Sequence, residues 1–577
     1  MNAPQLLVRD VPPRAAWALE QAGVSPLLAR LFAARGVSAA EELDDGLGKL
    51  LPPEGMKGMA AAAALLADTL QAGERICIVA DYDCDGATAC AVALRGLALL
   101  GAKPDTLHYV VPDRAIHGYG LTPAIVELAL PLSPRLLMTV DNGIASIEGV
   151  AHAKALGLKV LVTDHHLAAV HEGQVLLPEA DALINPNQPG CGFASKNLAG
   201  VGVAFYLLLA LRSELRARGV FDASSQPRLD GLLDLVALGT VADVVRLDAN
   251  NRRLVAQGLK RMRAGRMQPG IAALFTAAGR DASRANAFDL GFALGPRINA
   301  AGRLSDMTVG ISCLMCEDAS RALELAKLLD EINRERREIE ADMRESAEMQ
   351  LDRLLAKLDG EIPPALAIYD AEFHEGVVGI VASRLKDRLH RPTFVFALGA
   401  NGQLKGSGRS ILGFHLRDAL DLVSKRQPQL LKKFGGHAMA AGCTLEPDGF
   451  AAFDAEFQRV AAEWLDEQAL TRTLRTDGPL PPEQFTPQTV RELDGQVWGQ
   501  AFEAPLFCDE VQIVAQRIVG ERHLKLRVRQ GSLLRDAIWF GHIDALPERG
   551  RLAYRLSLDE YQGQQRVQMV VEAFIAS

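Results

Sequence analysis

The sequence has no long uninterrupted apolar run. Its first residues, MNAPQLLVRDVPPR, carry no apolar leader core, and the Ala-rich stretch at 59–70 is broken by Asp68 and too short to span a bilayer. The expectation is a soluble, cytoplasmic protein with no membrane association. Cysteine is sparse: eight residues are scattered over 577 positions with neither disulfide-like density nor a secretion signal, which fits a reducing compartment. Cys313 and Cys316 form a CxxC set among apolar residues, but no second pair lies nearby, so packing explains them better than zinc or redox chemistry. An excess of positive charge is also missing. The formal net charge of -9 argues mildly against a protein that coats polyanions, although a metal cluster and a local basic groove can dominate where a ligand binds.

At 577 residues the chain is too long for one core and divides into several domains. Its organising stretch is RICIVADYDCDGAT, residues 75–88, where an apolar run ends in Asp81, Asp83 and Asp85 followed by Gly86. The run reads as a buried parallel strand, and the residues from Ala87 to Leu100 read as a helix packed back on the sheet. Open α/β sheets bind ligands at the carboxyl ends of their strands. Three carboxylates so close together repel one another unless something positive lies among them, and a divalent metal is the simplest candidate. Two more stretches repeat the pattern: LLMTVDNG ends in Asp141, and VLVTDHH ends in Asp164, His165 and His166. Any one of these aspartates could simply cap the following helix, but the whole set is poorly explained that way. Carboxylate oxygens with one or two imidazoles suit Mn2+ or Mg2+, and Cys84 alone among them does not make a zinc site.

Residues 1–55 carry short helical patterns and two Pro-Pro pairs and read as an arm or cap. Residues 56–265 alternate strand-like runs, at 75–80, 107–111, 136–140 and 159–163, with helical ones, the signature of a parallel α/β domain. GLLDLVALGTV leads to Asp243, a further candidate ligand. Residues 266–360 form a joining segment in which 319–358, rich in Ala, Leu, Glu, Lys and Arg without Gly or Pro, predicts one helix of about 60 Å. Such a helix would space two domains and leave a cleft. Residues 361–468 read as a second, smaller α/β domain with two Gly-rich stretches, LKGSGRS and FGGHAMAAG, where close backbone approach beside Arg409 and His437 could bind phosphate. Residues 469–577 read as a small β-barrel. Within it HLKLRVRQG places His523, Lys525, Arg527 and Arg529 on one strand face, a basic ribbon that can follow a phosphate backbone. Trp498, Phe502, Phe507, Trp539 and Phe540 could stack on bases, though at least three of the five are expected in the core. The basic runs at 252–266 and 334–337 read as solvated faces.

Taken in order, DYDCDG, VDNG, DHH and LGTVADVV resemble the four motifs of the DHH phosphoesterase superfamily, and HEGVVGIVASR with FGGHAMAAG resembles its companion DHHA1 domain. LAGVGVAF, LGPRINAAGRLSD, KGSGRS, the long helix and the terminal barrel resemble the superfamily's single-strand-specific exonuclease branch, and the match runs from about residue 75 to the end. The resemblance implies an α/β fold in which a parallel-sheet DHH domain is joined by a long helix to a smaller α/β DHHA1 domain, followed by an OB-type barrel. The implied reaction is hydrolysis of single-stranded DNA from a 5′ end to 5′-mononucleotides, in DNA repair and recombination. Asp83, Asp85, Asp141, His165 and Asp243 would hold two Mn2+ or Mg2+ ions, with Asp81 the least certain ligand and Asp164 orienting its neighbours. His166 would face the scissile phosphate; Arg297, Asn299 and Arg303 would line the cleft; His437 would approach from the second domain. Arg114, Ser407 and Arg409 would engage the terminal phosphate or its neighbour. One departure is PDRAIHGYG, which has His117 where relatives usually carry an acidic residue.

Such a centre lowers the pKa of a bridging water and clamps the attacking and leaving oxygens of an in-line displacement, while Arg and His neutralise charge on the phosphoryl oxygens. A cleft between rigidly spaced domains would admit one strand and exclude a duplex, and the basic barrel would favour processivity. A single-strand-binding protein and a helicase are the expected protein partners. Two competing readings are a small-substrate phosphodiesterase of the same superfamily, disfavoured by the barrel, and a non-catalytic DNA-binding accessory, disfavoured because every metal carboxylate is retained.

Overall fold

Buried β-branched runs become the strands that the sequence predicts, and their register places the acidic residues. The protein was described from a computed structural model covering residues 4–113, 117, 119–171, 174–357, 361–399, 401–561 and 564–577. The described residues fall into two compact units. The N-terminal unit comprises Val11–Asn333 with Arg491–Ala504, and the C-terminal unit comprises Met1–Asp10, Arg334–Val490 and Pro505–Ser577. Strand β1 (Gln5–Val8) thus belongs to the C-terminal unit.

In the N-terminal unit, β2 (Ile76–Ala80), β3 (Leu107–Val110), β4 (Leu136–Val140) and β5 (Lys159–Thr163) match the four expected strands. A small hairpin, β6 (Ala169–His171) with β7 (Gln174–Leu176), leads to β8 (Ala182–Ile184). The sheet order is β3-β2-β4-β5-β8, with every pairing parallel. The three-residue β8 is too short to show a sequence pattern. One face packs Cys77, Val79, Leu137, Val160 and Val162 against Leu121, Ile125, Val126, Val150 and Ala153; the Cys84–Leu99 and Gly200–Ala217 helices contact the sheet as well. Strand order reverses between β2 and β4, the switch point at which open α/β sheets carry their ligands.

The helix Ala319–Lys357 matches the long predicted helix, and at about 1.5 Å per residue its 39 residues extend nearly 60 Å. Among the described residues no helix is long and apolar enough to cross a membrane.

The C-terminal unit contains a mixed sheet of β9 (Leu366–Tyr369), β10 (Thr393–Leu398), β11 (Leu404–Arg409), β12 (Lys433–Gly436) and β13 (Ala440–Leu445), in which only β9 and β10 are parallel. Phe394, Phe396, Phe453 and Phe457 form its aromatic core. Both Gly-rich stretches lie in the sheet. KGSGR is strand β11, where a Cβ at Gly406 or Gly408 would stand 2.2 Å from the Phe396 ring or 2.5 Å from the Phe394 ring. FGGHAMAAG is the β12–β13 hairpin, with Gly436 at φ +134° before its turn. The glycines admit phenylalanine rings and turn the chain.

Strand β14 (Thr473–Thr476) pairs in parallel with β1. The closed barrel follows, in the order β15 (Phe507–Val519), β16 (His523–Gln530), β17 (Leu533–Phe540), β19 (Gln564–Ala576) and β18 (Arg549–Tyr561). Between β14 and the barrel the chain contributes 491–504 to the N-terminal unit. There Trp498 and Phe502 pack on Phe32 at 5.7 and 6.0 Å, and Arg252 lies 4.2 Å over Phe502. These two aromatics are therefore not barrel stacking platforms. Phe507 is fully buried, whereas Phe540 is 54% exposed.

Candidate metal centre

The register Ala80–Val140–Thr163 aligns the ends of β2, β4 and β5, so the next residues, Asp81, Asp141 and Asp164, emerge side by side at the switch point. Each is fixed locally. Asp81 accepts the amide of Tyr82 at 2.7 Å, and Gly86 is obligatory because a Cβ there would stand 2.6 Å from the Asp81 carbonyl oxygen. Asp83 caps the Cys84–Leu99 helix by accepting the Gly86 amide at 3.0 Å. Asp141 adopts a left-handed φ of 63°, a conformation non-glycine residues rarely take. Asn142 secures the turn by donating Nδ2 to the carbonyls of Val79 and Val140 at 3.0 and 2.9 Å, and the Tyr119 hydroxyl donates to the Asp141 carbonyl at 3.2 Å.

The imidazoles are held from behind. Asn187 and Asn185 donate to the carbonyls of His165 and His166 at 2.6 and 2.8 Å. His165 Nε2 lies 3.1 Å from Asp141 Oδ1, 3.4 Å from Asp243 Oδ2 and 3.9 Å from Asp85 Oδ2. Donor atoms of three sets, Asp85 with His165 and Asp243, Asp81 with Asp83 and Asp141, and Asp141 with His165 and His166, each lie within 4.8 Å of one another. The six expected ligands thus fall into overlapping clusters that share Asp141 and His165.

Electrostatics match that arrangement. Burial first, and neighbouring carboxylates next, push the Asp81, Asp141 and Asp243 carboxyls well above the usual range. Burial and the charge of Asp83 raise Asp85 to about 7. Asp141 Oδ1 and Asp243 Oδ2 are sealed from solvent, with His165 Nε2 at 3.1 and 3.4 Å and no aligned hydrogen-bond donor on them among the described residues. Converging carboxylate oxygens of this kind, beside an imidazole nitrogen, fit hard divalent cations, whose charge removes the repulsion. Asp164 behaves differently: burial would raise its carboxyl, but His166, His165 and the Ile144 amide hold it below the usual value. His166, which burial alone would lower, is raised to about 9 by its hydrogen bond to Asp164.

The remaining expected residues lie in several settings. Asn299 Oδ1 accepts the Cys84 amide at 2.7 Å, so it braces the acidic turn. Gly302, on the same helix, has room only for hydrogen, because a Cβ would meet the Tyr82 carbonyl at 1.9 Å. Arg297 is buried, 2.8 Å from Asp330, and Arg303 is partly exposed on the same helix. In the C-terminal unit, Arg409 Nη1 donates to Ser407 Oγ at 3.2 Å, and Gly379 fits against both. His437 lies exposed in the β12–β13 turn. Arg114 lies outside the described residues, while His117 Nδ1 accepts the Asp113 amide at 3.0 Å.

On β16 the expected alternation is present, with Leu524, Leu526 and Val528 buried and Arg527 and Arg529 exposed. Arg517 on β15 stands opposite Lys525 and extends the basic ribbon onto the neighbouring strand. The runs at 252–266 are structural: Lys260 pairs with Asp45 at 2.6 Å, Arg261 with Asp230 at 3.1 Å, and Arg253 donates to the Asp44 carbonyl at 2.9 Å. Sequence reasoning missed Tyr119, Asn142, Asn185 and Asn187. Asn142 and Tyr119 sit inside the recognised VDNG and GYG turns, where they offered a signal; the asparagines of INPN follow a strand too short to draw attention.

Family profiles match residues 75–240 as the DHH family, N-terminal domain, 363–463 as a DHHA1 domain, and 476–573 as a RecJ OB domain. The chain is 48% identical over 561 residues to the single-stranded-DNA-specific exonuclease RecJ of Escherichia coli K12, covering 96% of each chain. It is 45% identical to the protein of that name from Haemophilus influenzae over 95% of this chain and 96% of that one. A crystal structure of RecJ in complex with Mn2+ from Thermus thermophilus superposes with a TM-score of 0.82 at 32% identity, over 99% of this chain and 80% of that chain. The corresponding Mg2+ complex gives a TM-score of 0.75 at 31% identity, over 99% of this chain and 78% of that one.

Proposed function

The chain belongs to the RecJ family of single-stranded-DNA-specific exonucleases, and we propose that it removes 5′-mononucleotides stepwise from the 5′ end of single-stranded DNA during repair and recombination. It is a hydrolase that uses Mn2+ or Mg2+. The observation that carries the reading is the convergence of Asp81, Asp83, Asp85, Asp141, His165 and Asp243 at the switch point of the parallel sheet.

Asp83, Asp85, Asp141, His165 and Asp243 would hold two divalent cations, with Asp81 beside them. When bound, these ions supply an activated water and stabilise the attacking and leaving oxygens of an in-line displacement. The protein's own groups do the rest. Asp164 would hold a proton on His166 Nδ1 and favours the protonated imidazole that would meet the phosphoryl oxygens. Asn142, Asn185, Asn187 and Asn299 fix the backbone from which the ligands project. The water oxygen bonds to phosphorus, the P–O3′ bond breaks, and the departing 3′-oxygen takes a proton. The released nucleotide keeps its 5′-phosphate.

Arg114, Ser407 and Arg409 would bind the terminal phosphate and so set the polarity, with His437 and Arg303 near the reacting nucleotide. Ser407 and Arg409 already meet on β11. The β16 ribbon would hold the trailing strand through its phosphates. A cytoplasmic location, and work beside a single-strand-binding protein and a helicase, follow from a substrate made by unwinding. The test is a product assay with Mn2+ or Mg2+ on oligonucleotides labelled at either end. Early release of labelled mononucleotide from the 5′ end of single-stranded DNA, abolished by chelator, is expected; first release from the 3′ end contradicts the polarity.

A further inference from the structure

The helix Gly200–Ala217 begins without a cap of its own. Ala199 occupies the position where Ser, Thr, Asp or Asn would accept the first amides, and its methyl group accepts nothing. Asp85, 115 residues earlier in the chain, does so instead: Oδ2 accepts the Gly200 amide at 2.6 Å and Oδ1 accepts the Val201 amide at 2.9 Å. One carboxylate therefore both caps this helix and faces the metal centre. The positive end of the helix favours its ionised form, against the burial that opposes it.

Gly200 also touches the second carboxylate. A Cβ at this position would lie 2.5 Å from both Cβ and Oδ1 of Asp141. Its φ is not in the left-handed region, so glycine is required here by space rather than by backbone conformation. Asp141 has little freedom to yield. Its φ of 63°, the Tyr119 bond to its carbonyl and the Asn142 anchor hold its main chain, and its Cβ is one bond from that main chain.

We propose that Gly200 is a positioning residue for the metal centre: its amide and that of Val201 fix Asp85, and its missing side chain lets Asp141 close against the same helix end. The spacing of two carboxylates is thereby set by one residue that has no side chain to offer a ligand atom. LAGVGVAF acquires a physical role, since any side chain at its Gly200 must displace Asp141. The inference rests on the reading of Asp85 and Asp141 as ligands, and the experiment separates the two.

Mn2+ binding is measured on the full-length protein by calorimetry and by electron paramagnetic resonance, for wild type, Gly200→Ala, Val201→Pro and Asp85→Asn, with thermal unfolding in chelator as the check on folding. Alanine is the better helix former but must displace Asp141, so Gly200→Ala is expected to remain folded in chelator with a lowered Tm. Its Mn2+ affinity should fall at least tenfold, the spectrum of the bound ions should change, and the Mn2+ concentration for half-maximal activity should rise more than kcat falls. Val201→Pro removes the amide at Asp85 Oδ1, and proline is tolerated in a first helical turn; weaker Mn2+ binding is expected from it also, and it decides the matter if Gly200→Ala does not fold. Wild-type affinity and spectrum in the folded glycine and proline variants, with binding lost in Asp85→Asn, overturn the positioning role alone. Wild-type Mn2+ binding by Asp85→Asn overturns the ligand reading itself.

Discussion

His166 Nδ1 lies 2.7 Å from Asp164 Oδ1, and the same oxygen accepts the amides of His165 and His166 at 2.7 and 3.1 Å. Its partner oxygen accepts the Ile144 amide at 2.9 Å. Asp164 is thus engaged by four donors, an environment that suits the orienting role proposed for it better than that of a metal ligand.

Asp164→Asn should therefore lower kcat on single-stranded DNA by roughly 10–100-fold, the usual cost of losing a group that orients reacting ones. In a His166→Ala background the same change should add little. Steady-state kinetics of the two single variants and the double variant check this, and fully additive losses would assign Asp164 a separate role.

Asp83→Ala and His165→Ala should each reduce turnover at least 100-fold while the protein stays folded. Asp83 also caps a helix, so its loss should cost about 1 kcal/mol of stability. Denaturant unfolding beside a turnover assay separates the effects, and near wild-type turnover in either variant would remove that residue from the ligand set.

Chelation should make stability strongly dependent on pH. Asp85, raised to about 7, keeps a proton in the folded state that the unfolded chain has released, so metal-free stability falls as pH rises from about 4 toward that value. His166 acts in the same direction: its favourable contribution is complete below about pH 6.5 and is lost as pH rises through about 9. Asp164, held low, loses its contribution only in strong acid. Thermal unfolding in chelator should show a falling Tm between pH 5 and 9, and added Mn2+ should raise Tm most at the alkaline end. A metal-free Tm that climbs over that interval would contradict the electrostatic account.

Replacing Arg527 and Arg529 together by Ala should weaken binding to long single-stranded DNA, reducing the slope of log K against log salt by roughly 0.7 for each phosphate that is no longer neutralised. Hydrolysis of a dinucleotide, which has no trailing strand for the ribbon to hold, should be unaffected. An unchanged salt slope would mean the ribbon does not track the phosphates.

Much of this was legible because particular residues carry strong local signals. Ile76–Ala80, Leu136–Val140 and Lys159–Thr163 are apolar runs ending in acid, and the alternation at 523–529 maps directly onto one strand. Other features depend on pairings that no local pattern reports. The alignment of Ala80, Val140 and Thr163 is a property of register, and the capping of the Gly200–Ala217 helix by Asp85 joins segments far apart in the chain. The glycines of KGSGR suggest close backbone approach to a ligand, whereas the close approach seen at Gly406 and Gly408 is that of phenylalanine rings, which only the strand pairing reveals. Trp498 and Phe502 followed the expected barrel boundary in sequence, yet pack with Phe32.

Crystals grown with Mn2+ and measured for anomalous scattering at the manganese edge test the central claim most directly. The account predicts two peaks about 3.5–4 Å apart, bonded to Asp83, Asp85, Asp141, His165 and Asp243. A single ion, or peaks held by other residues, would contradict a two-cation centre built on the ends of β2, β4 and β5.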